Sequence, residues 1–246
     1  MGSDPISFGT VHLVGAGPGD PELLTLRAAR LLAEADVMFH DALVPEAILA
    51  LAAKAERIAV GKRCGRHSSA QRFINKRLAD AARRYRTVVR LKGGDPMLFG
   101  RAHEEIAHLR ANGVAVEVVP GVTAALAAAA ELQASLTQRG VARSVVFATT
   151  RAAQGEAPSD WVRAVAAADT AVLYMAAGDA AAARHALVAA GKPPDTPVAL
   201  AESVSLPGQS LVAGNLEGLE RLAARRGGGP ALVLIGAVLG QAGSKQ

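Results

Sequence analysis

The sequence predicts an α/β protein with an N-terminal parallel sheet carrying helices on both faces and a C-terminal mixed sheet with helices. Three observations carry this. Short apolar strands and helical stretches alternate from residue 11 to residue 122, the pattern of a parallel sheet covered on both sides. Several of those strands run directly into glycine-rich turns. Near the C-terminus, runs 197–202 and 210–213 sit close together around Pro207-Gly208, as the arms of a hairpin do, so the second sheet is not purely parallel. The implied division is an N-terminal domain over 10–122, a linker helix over 123–136 and a C-terminal domain over 137–240.

Val11-His12-Leu13-Val14 is a strand that enters Gly15-Ala16-Gly17-Pro18-Gly19-Asp20. A helix is expected from 21 to about 35, with Leu24, Ala28, Leu31, Leu32 and Ala35 on one face, Asp20 as N-cap and Pro21 in the first turn. A dinucleotide fingerprint would have glycine where Asp20 stands, and a capping carboxylate repels a pyrophosphate, so the loop suits a nucleoside without phosphate. Residues 36–41 form a strand ending at Asp41, and 57–60 another that leads into Gly61-Lys62-Arg63-Cys64-Gly65-Arg66-His67. Ser68 or Ser69 caps a helix to about 85 with Phe73, Ile74, Leu78 and Ala82 inward.

Thr87-Val88-Val89-Arg90-Leu91 is the next strand, followed by Lys92-Gly93-Gly94-Asp95-Pro96 and a helix that stops at Gly113. Residues 114–119 make a fifth strand, closed by Pro120-Gly121-Val122-Thr123, and an alanine-rich helix runs to about 132. Strands at 144–149, 170–175 and 231–235 and helices at 160–168, 180–190 and 216–225 complete the second half.

At 246 residues and 50% apolar content, the chain has enough material for a large core or two ordinary domains. No apolar run reaches the length of a membrane span. The N-terminal stretch lacks a basic-then-apolar secretory layout, and the single cysteine, Cys64, rules out an internal disulfide; both suggest a reducing cytoplasm. A net charge of +5 suits an acidic partner, either nucleic acid or a polycarboxylate, whereas 3% aromatic content argues against a stacking platform for single-stranded nucleic acid. The six histidines show no metal-ligand spacing, so no metal is expected.

The run from Leu91 to Arg101 organises the chemistry. Paired glycines at a strand's carboxyl end let bare main chain approach a ligand, Pro96 fixes the turn and Asp95 adds an acceptor. The same residues also read as a sharp turn and nothing more. The helix cations Arg72, Lys76, Arg77, Arg83 and Arg84 read as a solvated face.

Taken together, Val14 to Pro21, Ala35-Asp36-Val37, Asp41 to Val44, Val60 to Arg63, Arg90 to Arg101 and Val119 to Ala124 resemble the uroporphyrinogen-III C-methyltransferases of the tetrapyrrole methylase superfamily. The resemblance implies the two-domain tetrapyrrole methylase fold, a homodimer, and S-adenosylmethionine bound in a cleft between domains, leaving as S-adenosylhomocysteine. It also implies methylation of uroporphyrinogen III to precorrin-2 for sirohaem or cobalamin, with no nucleic acid and no membrane involved. Donor contacts then fall to Pro18, Gly93, Gly94, Asp95, Leu98, Thr123, Ala124 and Met175, with Val204 and Ala231 more peripheral. Leu98, Met175 and Ala231 read equally as core.

By the same resemblance Asp41 is the proton-removing base and Lys62 the acid, although each alone reads as a loop or surface residue. Arg63, Arg101 and Arg139 are the carboxylate-binding candidates for the acceptor, with Arg66, Arg143 and Arg151 as further rim cations. Cys64, between cations, reads as a small semi-buried residue. Departures gather on the acceptor side: Ala42 stands where arginine is usual, and 137–140, 149–151 and 202–205 also differ. Other acceptors are therefore open: a different tetrapyrrole, a ribose of ribosomal RNA, or none at all in a non-catalytic binding module.

Overall fold

The computed structural model describes residues 8–60, 69–152 and 159–241. The chain divides into two compact units, Met1–Thr123 and Ala124–Gln246.

In the first unit, β1 (Thr10–Gly15), β2 (Val37–His40), β3 (Glu56–Ala59), β4 (Thr87–Lys92) and β5 (Val116–Val119) form a sheet in the order β3-β2-β4-β1-β5. Every pair is parallel. Parallel neighbours need crossover connections, and these contain α1 (Leu26–Glu34), α2 (Glu46–Leu49), α3 (Ser69–Ala82) and α4 (Ala102–Ala111).

Alternation along the strands sends side chains to opposite faces. Val14, Met38, Val89 and Leu91 pack with Ala28, Leu31 and Leu32 of α1 and Ile48 of α2. Val11, Leu13, Val37, Phe39 and Val88 pack instead with Ile74 and Leu78 of α3 and Leu109 of α4. The connection leaving β1 crosses β4 to reach β2, whereas the one leaving β4 crosses β1 to reach β5. The chain therefore departs in opposite directions from these two adjacent strands, and their carboxyl ends open the kind of crevice that takes ligands.

Two local expectations are corrected. The helix expected from 21 is interrupted: Asp20 caps only a 3-10 turn, Pro21–Leu23, accepting from Glu22 N at 2.8 Å. Leu24 is extended, and α1 starts anew with Thr25 Oγ1 accepting from Ala28 N. Phe73 is 60% exposed rather than inward. The buried face of α3 runs through Gln71, Ile74, Asn75, Leu78 and Ala82, and Phe73 lies off it beneath the Arg77 guanidinium, 5.5 Å from its ring centre.

In the second unit, β6 (Val145–Thr149), β7 (Thr170–Tyr174), β8 (Pro197–Glu202), β9 (Ser210–Asn215) and β10 (Ala231–Gly236) are ordered β6-β7-β10-β8-β9. The β6–β7 pair is parallel and the other three are antiparallel, which makes the sheet mixed. Its helices are α5 (Ala124–Glu131), α6 (Trp161–Ala167), α7 (Ala180–Ala189) and α8 (Leu219–Ala223). Val165, Leu187 and Leu219 from the helices meet Leu173, Leu200 and Val233 from the strands in one core. Each such buried side chain contributes about 1.5–3 kcal/mol. The hairpin is longer than expected, pairing Pro197 with Asn215 through to Glu202 with Ser210. Asn215 Oδ1 then accepts from Gly218 N at 2.9 Å, and this turn delays α8 beyond residue 216.

Candidate functional site

The carboxyl ends of β1, β4 and β5 meet by close approach of main chain. Gly17 and Gly94 form an isolated bridge, with Gly94 N donating to Gly17 O at 2.7 Å and Gly17 N to Gly94 O at 3.2 Å. A Cβ on Gly121 would lie 2.4 Å from Gly94 O and 2.9 Å from Gly15 Cα, so these loops can approach only as glycines. Asp95 locks the arrangement. Its Oδ2 accepts from Gly121 N at 2.9 Å and its Oδ1 from Met97 N at 2.7 Å. Gly94 itself has φ +67, and a Cβ there would meet nothing within 4 Å. The outward side of this knot is thus bare main chain against open space, which fits a ligand recognised by backbone groups.

A second feature lies behind the same sheet edge. Arg90 and Lys92 share the β4 face of Val88, yet they are charged and their side chains are only 3% and 5% exposed. Both converge on Glu105 of α4, which is 0% exposed. Glu105 Oε1 accepts from Arg90 Nε at 3.1 Å, from Gln71 Nε2 at 3.1 Å and from Lys92 Nζ at 3.2 Å, and Oε2 accepts from Lys92 Nζ at 3.2 Å. Arg90 Nη1 donates to Leu91 O at 3.1 Å, and Nη2 donates to Asp41 Oδ1 at 2.5 Å.

Burial depresses the Lys92 ammonium, and the neighbouring Arg90 charge adds to this. Burial opposes the charged form of Arg90 too, but Asp41 and Glu105 outweigh it and hold the guanidinium above its ordinary value. Asp41 stands at the carboxyl end of β2, its side chain 30% exposed and its main-chain N–H bonded to Leu91 O. A carboxylate held on one oxygen and open to solvent can accept a proton.

Along the second sheet, β7 and β8 end at the edge where antiparallel β10 begins: Tyr174 pairs with Leu232, and Glu202 with Ala231. Met175, Val204 and Ala231 therefore gather at one edge. Tyr174 Oη accepts from Ala125 N at 3.3 Å, which brings Ala124 to the same place. Met175, Ser203 and Ser205 have φ of 58, 51 and 60, a region costly for residues with a side chain. Phe99 and Arg101, with φ 52 and 55, mark the loop after β4 in the same way. Glu202 secures the incoming strand by accepting from Gly227 N at 2.8 Å and Gly229 N at 2.6 Å.

Of the donor-side residues named from sequence, Pro18, Gly93, Gly94, Asp95, Leu98 and Thr123 lie on the first unit's carboxyl-edge loops. Among the acceptor-side residues, Asp41 is at that edge, whereas Lys62 and Arg63 lie outside the described residues. Arg101 is exposed but engaged, its Nε and Nη2 donating to Glu104 at 2.6 and 2.8 Å. Arg139 is exposed, in the turn closed by the Gln138–Ala142 bridge. Arg143 precedes the amino end of β6, where Asp169 accepts from its main chain, and so stands at the edge of the sheet opposite Met175. Sequence reasoning missed the roles of Arg90, Lys92, Glu105 and Gln71. Glu105 shares a buried helical face with Ala102 and Leu109, but that burial is visible only once the fold is known.

Among the described residues, no group of three or more His, Cys, Asp or Glu side chains could hold a metal ion, and no helix is long and apolar enough to cross a membrane.

Comparison with known proteins adds three findings. Residues 10–220 match the family model for tetrapyrrole (corrin/porphyrin) methylases. A siroheme synthase of Psychrobacter sp. (strain PRwf-1) is 42% identical over 238 residues, 96% of this chain and 49% of the relative. The chain thus spans about half the length of the curated relatives it matches. Among solved structures, uroporphyrin-III C-methyl transferase from Thermus thermophilus in complex with S-adenosyl homocysteine is 42% identical, with a TM-score of 0.83 over 94% of this chain and 99% of that one. A cobalt precorrin-4 methyltransferase is 27% identical, with a TM-score of 0.84 over 96% and 98%.

Proposed function

The chain belongs to the tetrapyrrole methylase family, and we propose that it transfers methyl groups from S-adenosylmethionine to two ring carbons of uroporphyrinogen III, yielding precorrin-2 by way of precorrin-1. The observation that carries this reading is the bare main-chain knot at Gly17, Gly94 and Gly121, clamped by Asp95. It stands on a chain that is 42% identical, over nearly the full length of both, to a uroporphyrin-III methyl transferase seen with S-adenosyl homocysteine. By resemblance to that family, Pro18, Gly93, Gly94, Leu98, Thr123, Ala124, Met175, Val204 and Ala231 are the residues that hold the donor. Asp95 acts mainly by fixing the loop, because both its oxygens are engaged by main-chain N–H groups.

The sulfonium supplies an electrophilic methyl group. The protein's side chains and loops supply orientation, the larger part of catalysis in such a transfer, and removal of the ring proton by Asp41, with Lys62 as the acid. Arg63, Arg101 and Arg139 meet acceptor carboxylates, Arg101 by exchanging Glu104 for one of them. The product feeds sirohaem synthesis, in keeping with the siroheme synthase relatives, with the cobalamin branch drawing on the same intermediate. We assign the enzyme to the cytoplasm and to a homodimer. The homodimer is supported by an apolar groove on the second unit lined by Leu126, Ala130, Leu136, Val145 and Phe147, of which Leu126 and Phe147 are exposed large apolar side chains.

The test is an assay with S-adenosylmethionine and enzymatically made uroporphyrinogen III. Precorrin-2 absorbance supports the proposal. Tight S-adenosylhomocysteine binding without product moves the acceptor to another tetrapyrrole, a reading the substituted acceptor-side position Ala42 favours. Methylation of ribosomal RNA, or no methylation of any acceptor, would overturn it.

A further inference from the structure

We propose that Arg90 is the positioning residue for Asp41, and that Glu105 exists to hold Arg90 in that role. The inference rests on Asp41 acting as the proton acceptor. An arginine buried to 3% exposure on a sheet face needs a reason, because an apolar residue there would pack against α3 and α4 with less desolvation. Its guanidinium makes three bonds in three directions: Nε to Glu105, Nη1 to Leu91 O and Nη2 to Asp41. Two of these anchor the plane to its own strand and to α4. The third is the one that reaches the exposed edge. A fork fixed in this way sets where the Asp41 carboxylate points, while Asp41 N on Leu91 O sets where its backbone lies.

Lys92 has a separate part. It binds both oxygens of Glu105, so the glutamate stays neutralised even without Arg90. Gln71 Nε2 adds a further donor to Glu105 and also bonds Asn75 Oδ1 at 2.9 Å. Replacing Arg90 therefore leaves a paired Glu105 and an Asp41 whose side chain still reaches solvent, and the fold has no stranded, fully buried charge. That makes a functional test possible.

The experiment is a double-mutant cycle on turnover with Arg90→Met, Asp41→Asn and the combined variant, alongside Arg90→Lys and S-adenosylhomocysteine affinity by calorimetry. Arg90→Met is expected to lower kcat by about a hundredfold, the cost of displacing a catalytic group by about 1 Å, with donor affinity unchanged. In the Asp41→Asn background the same change should have no further effect, because the group being positioned is gone. Arg90→Lys should recover part of the loss. An equal hundredfold drop in both backgrounds, or a parallel loss of donor affinity, assigns Arg90 a merely structural role and overturns the inference. Wild-type kcat in Arg90→Met with an inactive Asp41→Asn overturns it too, and leaves the reading of Asp41 standing. Full turnover in Asp41→Asn removes the premise and the inference with it.

Discussion

Two aspartates stand at the carboxyl ends of neighbouring strands, Asp41 after β2 and Asp95 after β4, and the molecule uses them in opposite ways. Asp95 accepts a main-chain N–H on each oxygen, from Met97 and from Gly121. It ties two loops together and has little left for a reagent. Asp41 accepts one side-chain donor, Arg90, at a site where its own side chain is 30% exposed. Hydrogen-bond accounting thus separates a clamp from a candidate base where residue type and position do not. The supports differ as well. Main chain and glycine hold the Asp95 loop, whereas buried side-chain charges hold the Asp41 edge.

That contrast breaks most severely at Glu105. Glu105→Ala leaves Arg90 and Lys92 as buried adjacent cations with Asp41 as the acidic group still bonded to Arg90. Stripping one member from a buried ionic group costs about 3–5 kcal/mol, so chemical denaturation should show a stability loss of that size. A loss under about 1 kcal/mol would mean that water, rather than Glu105, neutralises the pair, and the division between the two regions would lapse.

Asp95→Ala tests the other half. It deprives Gly121 N and Met97 N of a charged acceptor, a kind of bond worth about 1.5–3 kcal/mol. Because the knot is the proposed donor platform, S-adenosylhomocysteine affinity should fall by about tenfold or more, 1.4 kcal/mol being a factor of about ten. Unchanged affinity would show that the platform does not depend on its clamp.

The contrast also explains what was legible in the sequence. The glycine knot announced itself, because Gly15, Gly17, Gly94 and Gly121 follow strand-like runs, and a close approach of backbones admits little else. The sheet class followed from strand and helix alternation. The charge network did not show, since periodicity marks apolar faces and says nothing of an arginine, a lysine and a glutamate that bury one another. Phe73 misled for the related reason that an aromatic at roughly helical spacing looks inward, while Gln71 and Asn75 actually line the buried face of α3. Asp20 fitted an N-cap, but Thr25 was the stronger start for α1 because its hydroxyl meets Ala28 N after an extended Leu24. Pairings that depend on register, such as Tyr174 with Leu232 placing Met175 beside Ala231, are tertiary facts with no local signature.

The smallest expected effect sharpens the same distinction at His12 on β1, the third place where a titratable group is buried in this sheet. Lys92 keeps a carboxylate on its nitrogen, so burial is opposed there by a full partner. His12 Nδ1 lies 3.3 Å from Glu117 Oε2 without a well-formed hydrogen bond, and Arg27 Nη2 donates to the same oxygen at 2.6 Å. Burial, with the Arg27 charge, pushes the imidazole below its ordinary 6.5, against the opposing pull of Glu117. The neutral ring is thus favoured in the folded state, and the unfolded chain takes up the proton first. Stability from this source is complete above about pH 6.5 and drains away as the pH falls below it. Thermal unfolding of the wild type should show this decline, and His12→Gln should flatten it while leaving the Tm difference small at about pH 8, where the ring is neutral in both states. An unchanged pH slope in His12→Gln would mean that folding leaves the proton affinity of the imidazole where it was, the attraction of Glu117 cancelling the burial.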